Sequence, residues 1–380
     1  MLPAPKPDGL SLADVMKSCL DAILGQGNRL GLVPVRNAVV VLVDGLGADV
    51  LRSSAGHARM LAGALTPKSV IESGFPTTTA SALATLTTGV PPGQHGMVGY
   101  SVLDASHDRV VNQLSGWDSQ FDPATWQRVP TLFETARAAA LDPVVIGPAR
   151  YRDSGFTRAV LRGARYVSAS SAFDRVTAAA AEINTDGPAK LIYVYIPELD
   201  QAAHAHGWQS SEWTTALETA DAAVRELVAA LGPADGLLVT ADHGLIDVPH
   251  HAHVLVDGEL LRGIRFMAGE PRCLQLYFEP EATPAERRDC LDLWRESESA
   301  RSWVVSREEA VAAGWFGPVD AEVLPRIGDI IVAARKGVAY YDGRIDNPKA
   351  RSMVAQHGSW SPAETRVPLL RFGAFARTTR

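Results

Sequence analysis

Residues 236–244 read GLLVTADHG. An apolar run from Leu237 to Thr240 ends at Asp242 and His243. Both are good metal ligands, and both cost free energy to bury without a partner. Two other runs behave alike. In AVVVLVDGLG, Ala38 to Val43 leads to Asp44; in KLIYVYIPELDQAAHAHG, Leu191 to Ile196 leads to Glu198, Asp200 and His204. Apolar, β-branched runs without alternation predict strands buried on both faces, as in a parallel sheet. Helical patterns separate them, as over Trp213 to Leu231, with Leu217, Ala220, Val224, Leu227 and Val228 inside. The alternation predicts an α/β fold: a doubly wound, mostly parallel sheet with helices on both faces. Such sheets bind ligands beyond the carboxyl ends of their strands, where these acids and histidines fall.

Taken singly, each has a plainer reading. Asp44 or Asp242 could cap the next helix. Asp200 and His204, four residues apart, could be an ion pair on a solvated helix. A helix starting near Asp200 would also project both from one face, so that they chelate one cation. His206 then points elsewhere, and Gly207 ends or loosens the turn. Together the three strand ends favour a metal site, because a cap does not call for a histidine beside it. A loop histidine such as His357, in QHGSW, is usually only solvated. Here it completes a count: Asp44, Asp200, His204, Asp242, His243 and His357 supply the six protein ligands that two zinc ions need. Neighbours in an extended strand point to opposite faces. Asp242 and His243 therefore reach one metal only if the chain turns, a freedom assigned to Gly244.

Residues 73–96, SGFPTTTASALATLTTGVPPGQHG, hold three threonines ahead of a helix-forming stretch that Gly89 and Pro91 stop. Thr79 is read as the N-cap of that helix, where free N–H groups favour an anion. It is either a plain cap or a hydroxyl that ionises beside a dication and attacks phosphorus.

The segments VLVDGLG, FPTTTASALATLTTGVPPGQHG, YIPELDQAAHAHG, VTADHG and QHGSW, in this order over residues 38–360, resemble the nucleotide pyrophosphatase/phosphodiesterase branch of the alkaline phosphatase superfamily. The resemblance implies two adjacent zinc ions. Asp44, Thr79, Asp242 and His243 would hold one, and Asp200, His204 and His357 the other. It makes Thr79 the nucleophile, with Thr78 one residue away as the competing register. It also implies a phosphothreonine intermediate and a small phosphoester substrate, with nucleotides foremost. Asp/His ligation suits zinc better than magnesium, other divalent ions remaining open. The family's diesterases often carry an asparagine three residues after the nucleophile. Here that position is Ala82, so the backbone N–H of Ala80 and the side chain of Asn112 are assigned to substrate binding in its place.

Other stretches are read more broadly. Residues 97–190 are assigned to the substrate wall, with Arg150, Tyr151 and Arg152 after a strand that ends at Ile146. Tyr151 is the substrate-contact candidate, although that loop also reads as plain surface. Trp117 and Trp126 read as core. Residues 250–345 predict a small α+β cap inserted between 1–249 and 346–380. His250, His251 and His253 look like a metal cluster by composition only.

The 380 residues carry a net charge of −7 and no long basic run, which argues against a nucleic-acid-binding patch. No run of 18 apolar residues predicts a membrane span. The N-terminal stretch reads as an amphipathic helix behind a Ser11/Asp14 capping box, not as a signal peptide. Three scattered cysteines suit a reducing, cytoplasmic setting. Oligomeric state is not legible. The reading is a metal-dependent phosphodiester or pyrophosphate hydrolase. A phosphomonoesterase or phosphonate hydrolase with the same metals is the near alternative, and a non-catalytic phospholigand-binding protein the distant one.

Overall fold

The computed structural model describes residues 2–376; Met1 and residues 377–380, the ends of the expected core, lie outside the described residues. Strands are Asn37–Val43 (β1), Val70–Glu72 (β2), Ser101–Asp104 (β3), Arg109–Asn112 (β4), Asp142–Gly147 (β5), Arg165–Ser168 (β6), Lys190–Ile196 (β7) and Asp235–Thr240 (β8). They continue with Ile264–Glu270 (β9), Cys273–Phe278 (β10), Ser302–Ser306 (β11), Ile330–Ala334 (β12) and Arg366–Gly373 (β13). The central sheet has the order β2-β13-β8-β1-β7-β5-β6. Five neighbouring strands, β8 to β6, run parallel, and β13 closes one side antiparallel to β8 and β2. The parallel sheet expected from the apolar runs is present. β1 and β8 are buried throughout, as unalternating strands should be.

The strands start earlier than their apolar runs. Asn37 and Asp235 belong to the ladder because they pair: Asn37 Nδ2 donates to Asp235 Oδ1 at 2.9 Å, and the Lys190 amide donates to Asn37 Oδ1 at 3.0 Å. Helices cover the sheet. Leu12–Ile23 (α1) packs on β1, β7 and Thr79–Thr88 (α2). Ala172–Asn184 (α3) lies on β5 and β7 and against Ser211–Ala229 (α5), which also touches Glu198–His206 (α4). In the cap of α1, the Asp14 carboxylate accepts from the Ser11 amide at 2.9 Å. No helix among the described residues is long and apolar enough to cross a membrane.

Between Val248 and Val354, whose amide and carbonyl meet at 2.9 Å, the chain leaves the sheet and returns beside its point of exit. This excursion holds a four-stranded antiparallel sheet, β9-β10-β12-β11, and the helix Pro284–Glu298 (α6). It does not pack alone. Val102 and Val111 of the β3–β4 hairpin share one apolar cluster with Cys273, Val305, Ile331 and Trp315.

Candidate active site

The ends of β1, β7 and β8 converge. Beyond β8 the chain bends at Asp242. Asp242 Oδ1 accepts from the Gly45 amide at 3.1 Å and the His243 amide at 3.0 Å, while the Ser73 hydroxyl donates to the Asp242 carbonyl. Gly244 serves a different purpose from the one expected. Its φ is not positive; a Cβ there would sit 2.0 Å from the Ala363 carbonyl oxygen. Glycine is needed for close backbone approach. Asp200 and His204 lie one turn apart on α4, with His204 Nε2 3.2 Å from Asp200 Oδ2. His206 is exposed, and Gly207 ends the helix at φ +86°.

The three histidines are oriented alike. Nδ1 of His204 meets the Ala355 carbonyl at 2.8 Å, that of His357 the Thr77 carbonyl at 2.7 Å, and that of His243 the Gly244 carbonyl at 3.1 Å. A carbonyl can only accept, so each Nδ1 carries a proton and each Nε2 is the nitrogen turned towards the cluster. Around His243 Nε2 lie Thr79 Oγ1 at 3.2 Å, Asp242 Oδ2 at 3.4 Å and Asp44 Oδ1 at 3.7 Å. Asp200, His204 and His357 form a second convergent group, and Asp200 also faces Asp44 and His243. The rings of His243 and His357 stack at 3.6 Å.

Asp44 Oδ1, Asp200 Oδ1 and Asp242 Oδ2 are buried and accept no hydrogen bond from a described residue. Burial first, then Asp242 and Asp200, raise the Asp44 carboxyl well above the ordinary carboxylate range. Burial and then His243 hold His357 well below the usual imidazole range. Tyr195, raised by burial and by Asp44, stays a phenol that donates to Asp44 Oδ2. Buried carboxylates that repel one another and keep unpaired oxygens are costly as they stand, and a cation among them reconciles the set. This hard-oxygen and imidazole donor set fits zinc.

Thr79 is the first residue of α2, not its cap; Thr78 holds the cap position in extended backbone, φ −131°. The hydroxyls differ in access. Thr78 is 1% exposed, whereas Thr79 is half-buried and faces the metal side. Intrahelical bonding begins with the Ala82 amide on the Thr78 carbonyl, so the Thr79 and Ala80 amides meet no acceptor among the described residues. Ala82 is buried in the main apolar cluster.

Asn112 does not join this site. Its Oδ1 accepts from the Leu114 and Ser115 amides at 2.9 and 3.0 Å, and it does not line the cleft. A short amide bonding to its own backbone is the commoner use of this side chain. Tyr151 does line the cleft, a cavity of about 450 Å³, with its ring centroid 6.0 Å from that of Tyr195. Trp117 and Trp126 pack in the apolar clusters. His250 and His253 stack on one another at 4.7 Å and form no metal-binding group among the described residues.

Sequence reading missed two contributors from the inserted segment. Glu270, at the end of β9, lines the cleft beside Thr78 and His357, and burial pushes its carboxyl up to about 8. Its signal was weaker than elsewhere, an acid closing a strand that Arg265 interrupts and that is only partly buried. Arg272 and Glu364, both fully buried, form a bidentate pair at 2.8 Å. Glu364 also accepts from the Ser359 amide, which fixes the loop carrying His357.

Comparison with known proteins follows the same lines. No curated protein matches the chain. Among solved structures, murine ectonucleotide pyrophosphatase/phosphodiesterase 5 is similar with a TM-score of 0.67 at 17% identity, covering 89% of this chain and 88% of that one. An inactive variant of that protein, in complex with AMP, is similar at 0.66 and 16%, with coverage of 89% and 88%. Phosphonoacetate hydrolase from Sinorhizobium meliloti 1021, in complex with phosphonoacetate, reaches 0.68 at 17%, with coverage of 90% and 91%. These likenesses establish a shared fold. The family description "Type I phosphodiesterase / nucleotide pyrophosphatase" matches residues 38–360, and the chain belongs to that family of hydrolases.

Proposed function

We propose that the protein hydrolyses phosphodiester or pyrophosphate bonds of small, nucleotide-class substrates through Thr79, with two zinc ions per chain. The observation that carries this is the placement of the Thr79 hydroxyl, 3.2 Å from His243 Nε2 at the open first turn of α2, beside three unpaired carboxylate oxygens. Asp44, Thr79, Asp242 and His243 would hold one ion and Asp200, His204 and His357 the other. Bound zinc would supply Lewis acidity that ionises the threonine hydroxyl and stabilises charge on the leaving oxygen.

The chain's own groups do the rest. Thr79 Oγ attacks phosphorus, the bond from phosphorus to the leaving oxygen breaks, and a phosphothreonine forms. The free amides of Thr79 and Ala80, at the positive end of α2, receive a phosphoryl oxygen. Tyr195 holds Asp44, and the backbone carbonyls at each Nδ1 hold the histidines. Water then cleaves the phosphothreonine and returns the hydroxyl. Tyr151 forms part of the wall against the leaving group. A cytoplasmic setting belongs to this reading and is supported by three unpaired, buried cysteines.

The test is a substrate panel on zinc-loaded protein: bis-p-nitrophenyl phosphate, p-nitrophenyl phosphate and a phosphonate monoester. The diester should lead in kcat/KM. A dominant monoester or phosphonate rate would replace this reading with the neighbouring one. Binding without turnover of any member would leave only a phospholigand-binding protein.

A further inference from the structure

We propose that Glu270, with Tyr100 lining the same cleft, forms a subsite for a primary or secondary ammonium group on the substrate. The inference rests on the phosphoester-hydrolase reading but replaces its nucleotide-class substrates with esters that carry a positively charged nitrogen near the phosphoryl group.

Glu270 is 6% exposed, and neither carboxyl oxygen has a well-formed hydrogen bond with a described residue. It is nonetheless held in place. A Cβ on Gly358 would lie 2.4 Å from Glu270 Cγ, so the stem of the glutamate packs on the backbone just after His357. The Ser101 hydroxyl donates to the Gly269 carbonyl at 2.8 Å, which ties the chain just after Tyr100 to the end of β9 that carries Glu270. Both line the cleft that holds Thr79. A buried carboxyl in the cleft of the nucleophile, with no well-formed hydrogen bond to either oxygen, can take a donor from outside the chain.

Charge decides what kind of donor. Two dications would be offset by Asp44, Asp200, Asp242 and an ionised Thr79, which leaves Glu270 as a buried carboxyl that a bound cation would hold in its ionised form. No lysine or arginine is among the described residues lining the cleft. Arg150 is exposed and stacks on Tyr151 at 4.8 Å instead. A substrate with further anionic groups therefore meets no cation beyond the metals, whereas an ammonium meets Glu270. A primary ammonium brings three N–H donors to two oxygens that lack a well-formed partner, and the exposed Tyr100 is the aromatic of the same cleft that a cation could meet. A quaternary ammonium has no N–H to give and satisfies neither oxygen.

The experiment uses the zinc-loaded full chain. Calorimetry compares 2-aminoethyl phosphate with ethyl phosphate and with its trimethylammonium counterpart; turnover compares p-nitrophenyl 2-aminoethyl phosphate with p-nitrophenyl ethyl phosphate. We expect the aminoethyl probe to bind about tenfold or more tightly than the ethyl probe, the scale of one charge-assisted bond, with the trimethyl probe between them. Glu270→Gln should bring the ratio to about one, and Tyr100→Leu should reduce it partly. Should Glu270→Gln fail to fold, Glu270→Asp, which withdraws the carboxylate by one methylene, is read the same way. Equal binding of the aminoethyl and ethyl probes by the native protein, or a ratio that survives the Glu270 variants, overturns the subsite. A binding preference without turnover of either diester would overturn the hydrolase reading and leave the subsite standing.

Discussion

The two ends of the central strands carry the same kinds of buried polar residue and treat them in opposite ways. At the amino ends of β1, β7 and β8, every such group is paired. Asn37 bridges Asp235 and the Lys190 amide, Asp235 Oδ2 accepts from the Gly232 amide at 2.9 Å, and Lys190 Nζ reaches Glu182 Oε2 at 3.0 Å. At the carboxyl ends, Asp44, Asp200 and Asp242 each keep one oxygen that no described residue satisfies. Burial of an acid says little by itself about function. Its unmet hydrogen-bonding capacity separates a residue that staples strands from one that waits for a ligand.

The sharpest break between the two ends should come from the nucleophile. Thr79→Ala is expected to lower turnover by about 10³-fold or more while elemental analysis still finds close to two zinc ions, since six side-chain ligands remain. Thr78→Ala should cost far less; the reverse outcome would move the nucleophile one residue and contradict the contact with His243.

Metal removal should weaken only the carboxyl end. Chelation should lower the melting temperature by several degrees and zinc should restore it, because a ligand at a thousand times its Kd stabilises the native state by about 4 kcal/mol. Asp242→Asn should shrink that zinc-dependent gain. An equal melting temperature in protein shown to be metal-free would make the cluster a set of caps. The amino end should respond in the other sense. Asp235→Ala strands the Asn37 amide and should cost about 1–3 kcal/mol, equally with and without zinc.

The remaining effect concerns pH. Glu270 is raised from 4.5 to about 8 by burial, with Glu364 adding to the rise and Thr78 opposing it. A raised carboxyl stabilises the fold fully below its unfolded value and loses that contribution as pH climbs towards the folded value. Metal-free native protein should therefore lose stability relative to Glu270→Gln between pH 4.5 and 8, by at most about 1.4 kcal/mol per unit. A constant difference across that window would mean that the carboxyl is already paired.

Much of the carboxyl end was legible in the sequence because its signal is local. An unalternating apolar run followed by Asp, or by Asp and His, marks both a buried strand and the chemistry at its end, and such runs place Asp44, Asp200 and Asp242 together. Where the signal is not local, reading fell short. Asn112 looked like a free amide because the turn it closes on Leu114 and Ser115 has no signature beyond its own short side chain. The cap of α2 was read one residue late, since three consecutive threonines carry no mark of which one leaves the helical region. Glu270 closes a strand broken by Arg265, without the unalternating apolar run, and its approach to Thr78 depends on a sheet packing about 190 residues further along the chain. The paired amino end was invisible for a like reason: Asn37 and Asp235 meet only once the strands align.

The Arg272–Glu364 pair bears on how this protein could be rebuilt. The inserted segment leaves and re-enters the core through adjoining strands, with Val248 and Val354 in backbone contact, so a short turn could bridge the gap and make the insertion look exchangeable between relatives. Arg272, however, belongs to the excised piece and Glu364 to the scaffold. A chimera lacking that guanidinium would leave a fully buried carboxylate without its counterion, a loss on the scale of about 3–5 kcal/mol. The damage would fall on the Ser359 turn that presents His357. A transplanted cap would have to bring an arginine at this point, or the recipient would have to give up Glu364 as well.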